Sequence, residues 1–188
     1  MAKLQIAQDS TADDLLSTDA FALLTGMLLD QQFPMERAFA GPAKLAERFG
    51  TLDPATIADA DPESFADLCA TPPAIHRYGR SMAGRIQELA RTVMADYDGD
   101  TAKIWTEAKT GAELLSRLRA LPGFGEQKAK IFTALVAKQL GVAPAGWEKA
   151  AGDYAKPGYR SVADVTDPDS LLKVREFKKA AKAAAKKK

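Results

Sequence analysis

Apolar residues recur three and four positions apart along most of the chain, which is the spacing of amphipathic helices. Capping acids, prolines and glycines divide this pattern into separate segments. The predicted helices are 20–32, 35–49 with an interruption or a kink at Gly41-Pro42, two short helices that begin at Asp53-Pro54 and Asp61-Pro62, then 78–97, 110–121, 126–140 and a last helix from about 169.

The remaining segments carry little regular pattern. Leu4-Gln5-Ile6 is the one candidate strand, and residues 142–166 predict mostly loop because glycine and proline recur there. No internal repeat or low-complexity linker divides the chain. The predicted fold class is therefore all-α, with short connections between helices.

The composition fits one compact domain or one core made of two small lobes, because 46% of the 188 residues are apolar. No stretch approaches the ~20 consecutive apolar residues that span a membrane. Residues 1–10 lack the apolar run of a signal peptide. We therefore expect a soluble, cytoplasmic protein.

The chain has one cysteine, Cys69, and one histidine, His76. A single cysteine excludes an intrachain disulfide framework and a four-cysteine zinc or iron–sulfur site, and a single histidine excludes a two-histidine metal site. Cys69 lies in a short amphipathic segment and is predicted to be a core residue. His76 follows Pro72-Pro73 and is predicted to be a turn or surface residue. No metal site is expected.

The net charge of +1 conceals an asymmetry. Residues 171–188 carry eight Lys/Arg and one Glu, so this segment is +7 and the rest of the chain is −6. Binding to nucleic acid would therefore use a local basic patch and this tail rather than a broadly basic surface. The Ala/Lys-rich end fits a helix, a frayed end or a disordered arm, and a purely solubilising terminus is equally compatible with it.

Leu121-Pro122-Gly123-Phe124-Gly125 predicts a tight hairpin between two helices. Amide groups at such a turn and at the start of the next helix can donate to a phosphate oxygen, and two glycines allow a ligand to approach closely. Lys128 and Lys130 add positive charge nearby. Backbone amides cannot read bases, so the device suits sequence-independent grip on a nucleic-acid strand. An ordinary turn between helices, with glycine at a helix end, is the alternative interpretation.

A second candidate site lies at the end of the first long predicted helix. Gln31 and Gln32, next to Phe33, offer amide donors and acceptors to bases. Glutamine is also common on helix surfaces, so the pair alone does not decide between binding and a structural role.

The order of these features resembles the helix-hairpin-helix (HhH-GPD) DNA glycosylase superfamily, which includes endonuclease III, the adenine glycosylase MutY and the alkylbase glycosylase AlkA. A Leu-Leu-x-Gln-Gln helix end comes first, and Leu-Pro-Gly-apolar-Gly follows about ninety residues later. The segment 78–86 lies between them. The agreement in spacing runs from about Ala20 to Gly141.

The resemblance implies two helical lobes with a DNA-binding cleft between them. It places a central lobe at about 30–140, a second lobe at about 1–29 plus 141–170, and a basic helix or tail at 171–188. Family members flip a damaged or mispaired base out of duplex DNA and cleave its N-glycosidic bond. The resemblance assigns Gln31 and Gln32 to the gap left by the flipped nucleotide. It assigns the amides around Gly123, Phe124 and Gly125 to a phosphate, often with a bound monovalent cation.

Two departures define the expected activity. Bifunctional members carry a nucleophilic lysine two residues after the second hairpin glycine, where this chain has Gln127. A glutamine cannot form a Schiff base, and the neighbouring Lys128 points about 100° away around the helix. The resemblance therefore implies a monofunctional enzyme without β-lyase activity. The cysteines of the iron–sulfur cluster are absent, so no cluster is expected.

The family's catalytic aspartate has no clear equivalent. It follows the lysine position by some eighteen residues, which leads to the vicinity of Glu148, whereas Asp164 lies in a more apolar context before the last helix. A carboxylate is needed because cleavage builds positive charge on the sugar, and a fixed anion stabilises that charge or activates water. Asp164 is the first candidate and Glu148 the second, and each is equally consistent with a surface or capping role.

Aromatic and basic residues complete the predicted site. Trp147 and Trp105 are candidates for stacking on a base, although tryptophan more often packs in a core. Tyr78 stands at a turn near the family's pocket. Arg80 and Arg85 are candidates for phosphate contacts, and helix-surface ion pairs explain them as readily.

Three functions follow from these features. The first is a monofunctional glycosylase that acts as a monomer on duplex DNA in base excision repair, at the bacterial nucleoid. The second is a non-catalytic protein on the same fold that senses distorted DNA. The third is a helical interaction protein unrelated to DNA, which the acidic body favours.

Overall fold

The computed structural model describes residues 3–188, which form an all-α fold, as predicted. Its α-helices are α1 (Ser10–Thr18), α2 (Ala20–Leu29), α3 (Met35–Phe49), α4 (Pro54–Asp59), α5 (Pro62–Ala70), α6 (Gly79–Tyr97), α7 (Lys103–Thr106), α8 (Gly111–Arg119), α9 (Glu126–Leu140), α10 (Trp147–Ala151) and α11 (Pro168–Lys186). Two 3-10 helices, Gly152–Ala155 and Val162–Asp164, lie between α10 and α11.

Most helix starts follow from side-chain caps. The carboxylate or hydroxyl at these positions accepts a hydrogen bond from an amide in the first helical turn, which satisfies a donor that has no partner inside the helix. The capping residues are Asp9, Asp19, Asp53, Asp61, Thr110 and Asp167. The bounds of α3 and α9 agree with the predicted ones, although α3 continues through Gly41 and Pro42 without the interruption that was expected there. The helix α2 ends at Leu29 rather than near Gln32, because Asp30 leaves the helical backbone conformation.

Several short elements differ from the prediction. Neither α1 nor α7 was expected, and α10 with the two 3-10 helices occupies the segment predicted as mostly loop. Leu4 and Ile6 form no strand. Both side chains are buried, and the segment is held instead by α1, where the Leu4 amide donates to Ser17 Oγ at 2.9 Å. Two alternating apolar side chains can pack into the core from an irregular segment, so the pattern does not require a strand.

The core is centred on α2, in which nine of ten residues are buried. A helix that is apolar on all sides has to be surrounded by other elements, and α2 packs against α1, α3 and α6. A second group of packed helices is formed by α8, α9 and α10. The division into lobes at the bounds given above stays a prediction.

The single cysteine and the single histidine of the chain are both buried. Cys69 is buried, as predicted, and burial raises the pKa of its thiol to about 12, so it is not a reactive thiolate. His76 lies in the bend before α6, but the surface position that was the other alternative is wrong, because its side chain is only 2% exposed. No helix within residues 3–188 combines the length and apolarity that crossing a membrane requires.

Candidate nucleic-acid interface

The hairpin between α8 and α9 presents its backbone outward. Gly123 has a φ of +78°, and a Cβ there would lie 2.4 Å from Leu28 Cδ1, so backbone conformation and packing both require glycine. Phe124 is buried edge-on against Phe132 and anchors the turn in the core. Gly123 and Gly125 themselves are exposed. The hairpin is therefore packed against the core through Phe124 and exposed to solvent at its two glycines.

The amides of this hairpin are largely unused. The Phe124 amide donates to the Leu121 carbonyl at 3.1 Å. The neighbouring amides find no acceptor within residues 3–188; they belong to Gly123, Gly125, Glu126 and Gln127. No side chain caps α9, and a Cβ added at Gly125 would meet nothing within 4 Å. This end of α9 is therefore a set of converging donors at the positive end of the helix dipole, which suits an anion.

The two lysines after the hairpin behave differently. Lys130 forms an ion pair with Glu126, with Nζ 3.2 Å from the carboxylate. Lys128 turns inward, where its Nζ donates to the Leu28 carbonyl at 3.0 Å and lies 5.8 Å from the centre of the Phe124 ring. Burial lowers the pKa of Lys128 to about 8, although the nearby Asp30 carboxylate opposes this effect. Lys128 thus ties the hairpin to the end of α2.

This geometry predicts a pH dependence of stability. The pKa of Lys128 is about 8 in the folded chain and 10.5 for the ordinary side chain, so between these values the unfolded chain binds more protons. Stability therefore gains from Lys128 deprotonation as pH rises from about 8 to about 10.5. Urea unfolding should show that the free energy of unfolding of the wild type increases between about pH 8 and pH 10.5 relative to that of Lys128→Met, which has no amine to titrate. A pH-independent difference would contradict the inward placement of the amine.

The α2–α3 turn separates the roles of the two glutamines. Gln31 Nε2 donates to the Leu28 carbonyl at 3.0 Å and its Oε1 accepts from Arg85 at 3.3 Å, so this side chain is used within the protein. Gln32 is exposed and has a φ of +50°, which is uncommon for a residue with a Cβ. Of the pair, Gln32 is the side chain that is free to reach a ligand.

His76 supports this turn from below, a role that the sequence analysis missed. Its Nδ1 accepts from the Tyr78 amide at 2.9 Å, so Nε2 carries the proton and donates to the Gln31 carbonyl at 2.9 Å. The imidazole also lies against Phe33, with ring centres 4.8 Å apart. Burial lowers the pKa of His76, which favours this neutral form. No local pattern marks the residue, because its partners come from the turn some 45 positions earlier.

Tyr78 and Arg80 lie at the start of α6. Tyr78 is 43% exposed beside His76. The Arg80 guanidinium forms ion pairs with Asp67 and with Glu63, the latter at 2.8 Å. Arg80 is therefore engaged with α5, and a phosphate contact would require it to leave these partners.

A groove of about 430 Å³ adjoins the hairpin. It lies between the first turns of α9 and the second half of α11, and its lining residues are Gln127, Ile131, Tyr154, Arg160, Phe177, Lys178, Ala181 and Lys182. Gln127 Nε2 donates to the Tyr154 hydroxyl at 3.0 Å. The Arg160 guanidinium stacks over the Phe177 ring at 5.6 Å. Gln127 thus links the hairpin amides to a groove with two aromatic side chains in its walls.

The carboxylates proposed from the sequence lie outside this groove. Asp164 has a side chain only 9% exposed, pairs with Lys138 Nζ at 2.7 Å and accepts from the Arg160 and Ser161 amides. Glu148 is exposed on α10. The position eighteen residues after Gln127 is Ala145. This count therefore meets an alanine, and Glu148 is the nearest carboxylate in that segment.

Asp30 is a carboxylate that the sequence analysis did not consider. It is partly buried at the end of α2 and makes no hydrogen bond or ion pair within 3–188 through its carboxylate. Burial raises its pKa, while the charges of Lys178 and Lys128 oppose the shift. Lys178, whose charge acts on Asp30, also lines the groove, whereas Asp30 itself does not line it. A carboxylate at a helix C-terminus is destabilised by the helix dipole. An aspartate at the predicted end of α2 is therefore the one sequence signal that could have identified Asp30 as a candidate.

Neither tryptophan lines the groove. Trp105 is buried with its ring centre 5.5 Å from that of Phe132, which is a core position. Trp147 begins α10, and its backbone lies so close to Gly111 that a Cβ there would be 2.5 Å away. This close backbone contact packs the start of α8 against the start of α10.

Comparison with known proteins adds one finding. A family model described as HhH-GPD superfamily base excision DNA repair protein matches residues 25–187, which include the α2–α3 turn, the hairpin and the groove. No curated protein matches the chain.

Proposed function

The chain belongs to the HhH-GPD superfamily of base excision DNA repair proteins, and from this membership we propose that it is a monofunctional DNA glycosylase. It binds duplex DNA, flips a damaged base and hydrolyses the N-glycosidic bond. We further propose that it acts as a monomer in the cytoplasm, at the nucleoid. The observation that carries the proposal is the set of unpaired amides at the hairpin, which lies beside a surface groove.

The binding roles follow from the contacts. The free amides of Gly123, Gly125, Glu126 and Gln127 hold one phosphate, and a monovalent cation can add to this site as in the family. Gln32 enters the space left by the flipped nucleotide, because its side chain is exposed while that of Gln31 is held internally. Such contacts position the duplex without reading its sequence.

Hydrolysis needs a group that activates water. We propose that Asp30 accepts a proton from the attacking water while the oxygen of that water bonds to C1′ of the sugar. The C1′–N bond breaks and its electron pair goes to the base, which takes up a proton from solvent, and the product is an abasic site. A raised pKa suits a general base working near neutral pH. Gln127 stands where a bifunctional member has its lysine, so no Schiff base forms at that position.

A second candidate function is damage sensing without catalysis. It is favoured by the alanine that stands eighteen residues after Gln127 and by the ion pair with Lys138 that engages Asp164. A protein of this kind would hold distorted DNA through the same hairpin and leave the glycosidic bond intact.

Incubation with duplexes that carry uracil, oxidised, deaminated or alkylated bases, followed by alkali, separates the two. A glycosylase gives alkali-dependent strand cleavage at one class of lesion and none before alkali. Tight binding to lesion duplexes with no cleavage on any lesion favours the sensor. Absence of DNA binding at low salt would contradict both proposals.

A further inference from the structure

We propose that the groove between α9 and α11 receives the flipped base and selects neutral, carbonyl-rich bases over cationic N-alkylated purines. This inference rests on the proposed function and narrows its substrate class. It is carried by the lining of the groove: three cationic side chains, aromatic walls and no carboxylate.

The position of the groove connects it to the hairpin. Gln127 contributes its backbone amide to the hairpin donors and its side chain to the groove. A strand whose phosphate is held by these amides therefore presents a neighbouring nucleotide to the groove. The second half of α11 forms the opposite wall, and the Arg175–Glu36 ion pair fixes this helix against the start of α3.

The walls suit a flat ring rather than a phosphate. Ile131, Phe177 and Ala181 give apolar surface, and Tyr154 adds a second aromatic ring. Bases stack on aromatic side chains largely independently of sequence. A phosphate in this space would lose hydration against apolar walls, whereas the open hairpin amides nearby offer it a better site.

The charge of the lining decides between bases. Arg160, Lys178 and Lys182 line the groove, and neither an aspartate nor a glutamate does. Arg160 is held by stacking on Phe177 and by a bond from its Nε to the Pro157 carbonyl at 3.3 Å, so its terminal nitrogens stay available as donors. Carbonyl oxygens of uracil or 8-oxoguanine accept from such donors. A 7-methylguanine carries positive charge into the same space and is repelled.

The test measures equilibrium binding with four duplexes that share one sequence: undamaged, uracil, 8-oxoguanine and 7-methylguanine. A 2′-fluorine on the target sugar prevents hydrolysis during the measurement. We expect the uracil or the 8-oxoguanine duplex to bind about tenfold more tightly than the undamaged one, and 7-methylguanine to show no such gain. Arg160→Gln should remove most of the preference.

Lys179→Gln is the matched control, because Lys179 adjoins Lys178 on the same helix but does not line the groove. It should lower affinity for all four duplexes alike and leave the preference intact. A preference for 7-methylguanine, equal binding of all four duplexes, or an unchanged preference in Arg160→Gln would overturn this inference alone. Absence of binding to every duplex would overturn the proposed function together with it.

Discussion

Replacing Asp30 with asparagine should lower the single-turnover rate of base excision by about 10²–10³-fold and leave DNA affinity nearly unchanged. The amide keeps the size of the side chain but cannot accept a proton from water. The hairpin amides and Gln32, which hold the DNA in our proposal, are not altered. Single-turnover excision and equilibrium binding to the same lesion duplex measure the two effects separately.

The same substitution should not weaken the fold. Burial raises the pKa of Asp30, so the folded chain is penalised for its charged form above that pKa, and the penalty disappears with a neutral amide. We expect the urea midpoint of Asp30→Asn at neutral pH to equal or exceed that of the wild type. Lost activity with retained stability is typical of a functional residue and not of a structural one.

Two other carboxylates provide controls. Asp164→Asn breaks the pair with Lys138 and weakens the bonds to two amides, so it should lower the free energy of unfolding by about 2 kcal/mol. Its effect on excision should not exceed the loss of folded protein. Glu148→Gln, on the exposed face of α10, should change neither quantity.

The pH profile gives an independent check on Asp30. Excision by the wild type should rise with pH through a pKa above the ordinary value of 3.8, and the residual activity of Asp30→Asn should lack this limb. Full activity in Asp30→Asn, or an Asp164→Asn variant that stays folded but is inactive, would assign the chemistry to another group.

Local signals account for the parts of the fold that sequence reasoning predicted well. Asp53-Pro54 and Asp61-Pro62 each combine a capping acid with a residue whose backbone is already suited to a first helical turn, and both start helices. The hairpin was also predictable, because Gly123 and Gly125 flank one apolar anchor. In each case the residues that determine the structure are close neighbours in the chain.

The site assignments required contacts that the sequence does not display. Lys128 was expected to add positive charge near the hairpin phosphate, but its amine donates to the Leu28 carbonyl, one hundred residues away. His76 is buried for the same reason, through its bond to Gln31. The pKa of Asp30 is raised by burial and is further affected by charges on α11, α9 and α3. Helical periodicity predicts which face of a helix is buried, but not which distant element covers a helix end.

Substituting the two hairpin glycines with alanine should separate folding from DNA binding. Gly123→Ala places a Cβ against the buried Leu28 at a φ of +78°, and should lower the free energy of unfolding by about 1–3 kcal/mol. Gly125 has a φ of −82° and open space around its Cα, so Gly125→Ala should cost no more than about 1 kcal/mol. Its methyl group nevertheless stands where a phosphate would approach, and affinity for duplex DNA should fall about tenfold or more.

Gly141→Ala is the control at the other end of α9. Its φ of +71° imposes the same kind of backbone strain as at Gly123, with no atom near the added methyl group, so it should reduce stability and leave DNA affinity unchanged. The comparison matters because a hairpin that only turns the chain has no use for a glycine at position 125, where alanine fits the backbone and the packing. Wild-type affinity in a folded Gly125→Ala variant would reduce the hairpin to a connection between helices, and the phosphate would have to be sought elsewhere on the surface.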